Sequence, residues 1–283
     1  MNEPDSVSAR ERGVVFIAGL VYGLIVCFWA NRNGALGIPR NDDAFYIRTA
    51  FHFAESGHFV PVSSYPTLFG QVLMSYPIIR IFGESIAALQ ILVLTVGVIA
   101  LVALYLFFRN YFAKVHTAIF VLILGLSPIF ANISISYMTD IPAFAFQIFS
   151  LFFIAKLQFA RKHNALYLSA AALTAFVAFS IRQSAVTAVV TVFVMGFIAT
   201  RRPARLRKSI FLVNAVVLGG TAFAFYYWRS LSPLYRSFPV NWEQFANPIS
   251  FVATSLATIG MTYGLYLLPV LFLVSPREFY LRY

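Results

Sequence analysis

Charge is what this chain has least of. Asp and Glu together number 10 in 283 residues, and charged side chains of both signs make up 11%, against roughly a quarter in soluble domains. That scarcity excludes an ordinary soluble fold. One cysteine, Cys27, excludes any disulfide or cysteine metal site within the chain. His52, His58 and His116 stand at no ligand spacing from one another, so no metal site is expected of them. Nor does the chain contain a Gly-rich phosphate loop, a nucleotide-binding motif or a convincing internal repeat.

What fills the space is apolar. Hydrophobic residues make up 60%, with 31 Phe and 15 Tyr, and the mean hydropathy is +0.79. Runs that match a ~30 Å hydrocarbon core fall at 14–30, 85–108, 115–131, 141–157, 165–181, 184–200, 209–228 and 251–274. Such continuous runs predict an all-α polytopic membrane protein, because a β-barrel would show alternating segments of about ten residues. One helix over 165–200 would run ~54 Å, so the polar "SIRQS" at 180–184 is read as a turn between two short spans. The stretch "PTLFGQVLMSYPIIRIFG", 66–83, is broken by Gly70, Pro77 and Arg80. It is expected to lie on the outer surface as an interfacial helix.

Loop charge orients these spans. The net charge of +11 clusters between apolar runs, which points to topology and anionic lipid headgroups rather than nucleic acid. With the N-terminus inside, 14 of the 21 Lys and Arg fall on cytoplasmic segments, including "RRPARLRK" at 201–208. Both ends are then cytoplasmic in a cell membrane, and the first span, after Arg10 and Arg12, reads as a retained signal-anchor. The expected organisation is an N-terminal tail over 1–13 and a transmembrane module over 14–228 with an outer loop at 31–84. An outer loop, a last span and a short tail follow over 229–283. Asp42, Asp43, Asp140 and Arg182 all share the outer face in this arrangement.

Each of these polar residues has two readings. After Asp42 and Asp43, the residues Ala44, Ile47, Phe51 and Ala54 share one helical face, with Arg48, His52 and Glu55 on the other. Asn41 or Asp42 can cap that helix, the second acid favouring the positive end of its dipole. Alternatively, a carboxylate at a water–lipid boundary can act as a base. In "SYMTDIP", Thr139 or Asp140 can cap the helix that Pro142 begins, or Asp140 can be a second carboxylate at the outer mouth. Arg182 is either a snorkelling anchor or a guanidinium fork for phosphate, with Arg48 and Arg80 as partners.

The order of these pieces resembles a known family. "DDAFYIRTAFHFAESGHF" has an acid pair after the first span, then a Tyr and an amphipathic helix. "YPTLFGQVLMSYPIIRIFGES" follows with its Pro and closing Gly turn, and "LSPIFANISISYMTDIPAFAFQIFSLFF" sets Asp beside Pro at the start of a span. Over roughly residues 38–200 this resembles the GT-C glycosyltransferases that use polyprenyl-phosphate sugars. The nearest branch is that of protein O-mannosyltransferases and the aminoarabinose transferases of lipid A. The resemblance implies a GT-C-like helical bundle with two juxtamembrane helices in the first outer loop. It also implies that Asp42 is the catalytic base, with Asp43, at a position often held by Glu, as the alternate. Asp140 would then orient the acceptor or a basic partner, and Arg182 would hold the donor phosphate, with Arg48 and Arg80.

The implied reaction moves a sugar from a lipid phosphate to an acceptor hydroxyl at the outer face, with inversion. The partners are a lipid-linked sugar donor, a glycan, lipid or protein acceptor, and membrane lipids. No cofactor is expected, although a hard cation held by carboxylates and a substrate phosphate is compatible with these residues. Family members usually continue through further spans, so the chain reads either as a fragment or as a compact member. A lipid-linked sugar transporter and a truncated, non-catalytic relative are the alternative readings.

Overall fold

A computed structural model describes residues 7–40, 42–60, 68–159 and 164–198, with isolated helical positions between 212 and 227. Among the described residues the fold is all-helical. In chain order the helices are α1 (Ala9–Arg32), α2 (Asp43–Ser56), α3 (Phe69–Phe82), α4 (Ile86–Phe108) and α5 (Lys114–Gly125). They continue as α6 (Pro128–Ser134), α7 (Asp140–Phe159), α8 (Asn164–Ile181) and α9 (Val186–Ile198).

Local chemistry sets most boundaries. Ser8 and Ser85 open α1 and α4 by accepting the amides of Glu11 at 3.1 Å and Ala88 at 3.3 Å, satisfying donors a helix start leaves unpaired. Ser127 accepts from the Phe130 amide at 3.1 Å, and Pro128 occupies the first turn of α6, where its missing N–H costs nothing. Gly57 ends α2 at φ +70°, a left-handed cap open to glycine without strain.

α1, α4 and α7 are each long and apolar enough to cross a membrane, matching the expected spans 14–30, 85–108 and 141–157. The split of 165–200 also holds, since α8 ends at Ile181, Arg182 is extended and a short 3-10 turn leads into α9. The span expected at 115–131 is a bent pair, α5 and α6 at 62°, whose helices together are long and apolar enough for one broken span. A proline disfavours helical geometry in the residue before it, so the helix stops and restarts around Ser127 and Pro128. Beyond residue 208, the expected span 209–228 has only isolated described positions, and 251–274 lies outside the described residues.

α3 is more deeply packed than an interfacial helix alone would be. Gly70, Gln71, Val72, Ser75 and Ile79 are buried, in contacts with α2, α4 and α8. Together α2 and α3 supply two helices between α1 and α4, where the resemblance implies a juxtamembrane pair. One core joins Tyr46, Ile47, Leu89, Val93, Phe130 and Tyr137. A second, built around Leu168, Ala172, Phe179 and Val189, binds α7, α8 and α9 together. α1 packs on α4, while Phe16, Leu24, Phe28 and Trp29 are exposed, as suits a helix facing lipid.

The two ends of the bundle are distinct. Gln90, in the first turns of α4, accepts from the Gly37 amide at 2.8 Å and donates to the Ile38 carbonyl at 3.0 Å. The loop after α1 is thereby held to the start of α4, and Gly37 sits at φ +82°, where a side chain would be strained. At the other end, Arg109 after α4 meets Glu11 at the start of α1 at 2.8 Å. α1 and α4 therefore run antiparallel.

Candidate active site

The acid pair occupies two different environments. Asp43 is fully buried, whereas Asp42 is exposed. One Asp43 carboxylate oxygen accepts the Arg40 amide and the other accepts the Tyr137 amide at 3.3 Å. Burial pushes the Asp43 carboxyl above its ordinary range, and the Arg40 and Tyr137 amides oppose that rise only in part.

The expected helix face holds, with Ile47 buried and Phe51 and Ala54 packed against the core, and it extends to Asp43. Asp43, Tyr46, Ile47 and Ala50 form the buried side of α2, with Phe45, Arg48, His52 and Glu55 exposed. Asp43 joins the inner face because two backbone amides there receive its charge. Nor does Asp42 cap α2. It stands at the cap position with φ −73° and ψ −10° and makes no side-chain cap bond, because capping residues normally hold an extended backbone. Asn41 lies outside the described residues.

Tyr137 links three elements. Its amide binds Asp43, its carbonyl accepts from the Gln71 side-chain amide at 3.1 Å, and its hydroxyl meets the Ser75 hydroxyl. The ring is completely buried, and burial drives its phenol pKa far upward. The Gln71 side-chain oxygen is buried with no hydrogen-bond partner among the described residues.

Three residues later, the same segment carries the second acid. Arg182 Nη1 lies 2.7 Å from Asp140 Oδ2 and donates to the Thr139 hydroxyl at 3.1 Å. The pair is half-exposed, at 42% for Arg182 and 35% for Asp140, leaving guanidinium donors open to solvent. Three residues of chain span at most ~11 Å. Segment 137–140 thus ties Asp43 on α2 to Arg182 after α8.

Arg48 is exposed on α2. Arg80 borders a shallow pocket of about 190 Å³ with Glu55 and Glu84. Arg182 pairs with Asp140 and Thr139 rather than with either of these arginines. Arg40 was not singled out by its sequence, yet it donates to Asn132 at 2.9 Å and to the Ala35 carbonyl at 3.4 Å. Gln71 and Gln90 had a readable signal, since each is a polar side chain inside an apolar run. Tyr137 had none, being one of 15 tyrosines.

The family described as dolichyl-phosphate-mannose-protein mannosyltransferase matches residues 73–228. The chain belongs to this family. It is a multi-pass membrane glycosyltransferase of the GT-C type, and that mannosyltransferase family uses lipid-linked sugar donors and glycan or protein acceptors in general. No curated protein and no solved structure matches. The family match contains Arg80, Asp140 and Arg182, and begins after Asp42 and Asp43.

Proposed function

We propose that the chain transfers a hexose or pentose from a polyprenyl phosphate to an acceptor hydroxyl at the outer face of the cell membrane, with both termini cytoplasmic. The observation that carries this reading is the half-exposed Arg182–Asp140 pair, tied through segment 137–140 to the acid-bearing start of α2. A guanidinium with free donors suits a sugar-bonded phosphate and stabilises the charge that the leaving lipid phosphate gathers.

Asp42 is the general base. It is the accessible member of the pair, while Asp43 is buried and holds the loop in position. As the acceptor oxygen attacks the anomeric carbon, its proton passes to the Asp42 carboxylate. The bond from that carbon to the phosphate oxygen breaks, and polyprenyl phosphate leaves. Attack opposite the phosphate inverts the centre. The acceptor is a glycan, lipid or protein hydroxyl that Asp140 orients.

Purified full-length chain in detergent, supplied with polyprenyl-phosphate sugars and an envelope-lipid or peptide acceptor, tests the reading. A new glycosidic bond, lost in Asp42→Asn, is the expected result. Movement of the lipid-linked sugar across vesicles without any new bond would overturn it in favour of transport.

A further inference from the structure

On the side of the bundle where Glu11 meets Arg109, α1, α4 and α5 surround an open-sided cavity of about 260 Å³. Its walls are mostly aliphatic, with Val15, Leu101, Val102 and Leu122 beside Tyr22 and Tyr105, and among the described residues Lys114 is the only charged one lining it. The helices can approach this closely because Gly19 and Gly125 lack side chains. A Cβ on Gly19 would come within 3.0 Å of Val102, and one on Gly125 within 3.1 Å of Leu101.

Cations outnumber the one acid around this cavity, and that acid, Glu11, also feels the Lys114 charge. Glu11 is already bonded by Arg109 at 2.8 Å and by the Tyr105 hydroxyl at 2.7 Å. Lys114 has no ion pair among the described residues, and Arg10 and Arg12 at the start of α1 are exposed. An apolar cavity on membrane-crossing helices fills with hydrocarbon, and a cation at its border selects the headgroup attached to that hydrocarbon.

We propose that this cavity is a binding site for an anionic phospholipid, with an acyl chain between α1, α4 and α5 and the phosphate on Lys114. The site is separate from the sugar donor's. The donor phosphate belongs with Arg182 and Asp140 at the start of α7, whose Ile141 packs on Gly97 midway along α4, whereas Lys114 lies beyond the C-terminal end of α4. Its occupancy does not depend on transfer activity.

The test uses the full chain purified in mild detergent, with bound lipid measured by native mass spectrometry after exposure to phosphatidylglycerol or phosphatidylcholine. Wild type should retain phosphatidylglycerol preferentially. Lys114→Glu should reduce that preference by at least about fivefold, in keeping with one surface lysine near an anionic headgroup. Ala118→Trp, which fills the cavity, should abolish retention of both lipids. Because Lys114 is exposed, its variant should fold, and thermal stabilisation by phosphatidylglycerol should appear in wild type alone. Equal retention of the two lipids, retention unchanged in Lys114→Glu, or retention of polyprenyl phosphate alone would overturn the proposal. So would the absence of bound lipid, the result expected if a later segment of the chain fills the cavity.

Discussion

The Tyr137 amide donates to the Asp43 carboxylate at 3.3 Å across 94 positions of sequence. That bond separates two adjacent acids that look equivalent in the chain. Asp43 becomes an internal strut between α2 and the start of α7, and Asp42 is left at the surface.

Substituting Asp42 should therefore affect chemistry without affecting folding. Asp42→Asn is expected to lower the transfer rate by ~10²-fold or more, the scale of general-base catalysis. The melting temperature should stay within error of wild type, because the side chain is exposed and caps nothing. Rate and thermal melting measured on one preparation check both parts.

Asp43→Asn should show the opposite pattern. Replacing a carboxylate oxygen with an amide nitrogen leaves one of the two buried amides, of Arg40 or Tyr137, without an acceptor. Losses of ~1–3 kcal/mol are typical of a buried group left unsatisfied, read as a lower melting temperature.

The same residue gives stability a pH dependence. Burial raises the Asp43 pKa, so the folded chain binds this proton more tightly than the unfolded chain does. The resulting stabilisation is complete below the ordinary carboxylate range near ~4, and it is lost as pH rises through the folded-state value. Wild type should lose stability across that window relative to Asp43→Asn. Melting curves of both proteins at stepped pH measure the difference.

Arg182 should govern the donor. Arg182→Ala is expected to raise the donor KM at least ~10-fold, because a charge-assisted phosphate contact contributes ~1.5–3 kcal/mol. Arg182→Lys should recover part of the loss, since it keeps the charge but not the fork. Stability should fall by less than ~1 kcal/mol, as expected of a half-exposed ion pair. Donor titrations and melting curves separate these effects.

Gly70 on α3 faces the end of α8. A Cβ there would collide with the Ser180 hydroxyl and come within 2.9 Å of Ile181. Gly70→Ala should destabilise the fold by ~1–3 kcal/mol, the scale of overpacking. It should also weaken donor binding, because Ser180 and Ile181 lead directly into Arg182. Thermal melting together with donor KM tests the coupling.

Much of the fold was legible because its signals are local. Run length identified α1, α4 and α7, and the polar break at 180–184 separated α8 from α9. The pattern of 43–56 identified the exposed face of α2 through Arg48, His52 and Glu55. The interruption within 115–131 was written in Ser127 and Pro128, but the long apolar run around it hid the bend. The candidate site was legible as residue types at helix ends, with Asp140 and Arg182 brought close in space.

The sequence by itself determined the chemistry available and the helices that carry it, because apolar length, capping hydroxyls and proline act within a few residues. Only the tertiary structure decided which acid of "DD" is buried, what Arg182 pairs with, and where the lipid-facing cavity lies. Those outcomes depend on the Tyr137 amide, on Thr139 and Asp140, and on the meeting of α1, α4 and α5. Each of these contacts joins residues that are distant along the chain. No local pattern encodes such a contact, because a buried carboxylate takes its environment from whichever backbone amide packing brings to it.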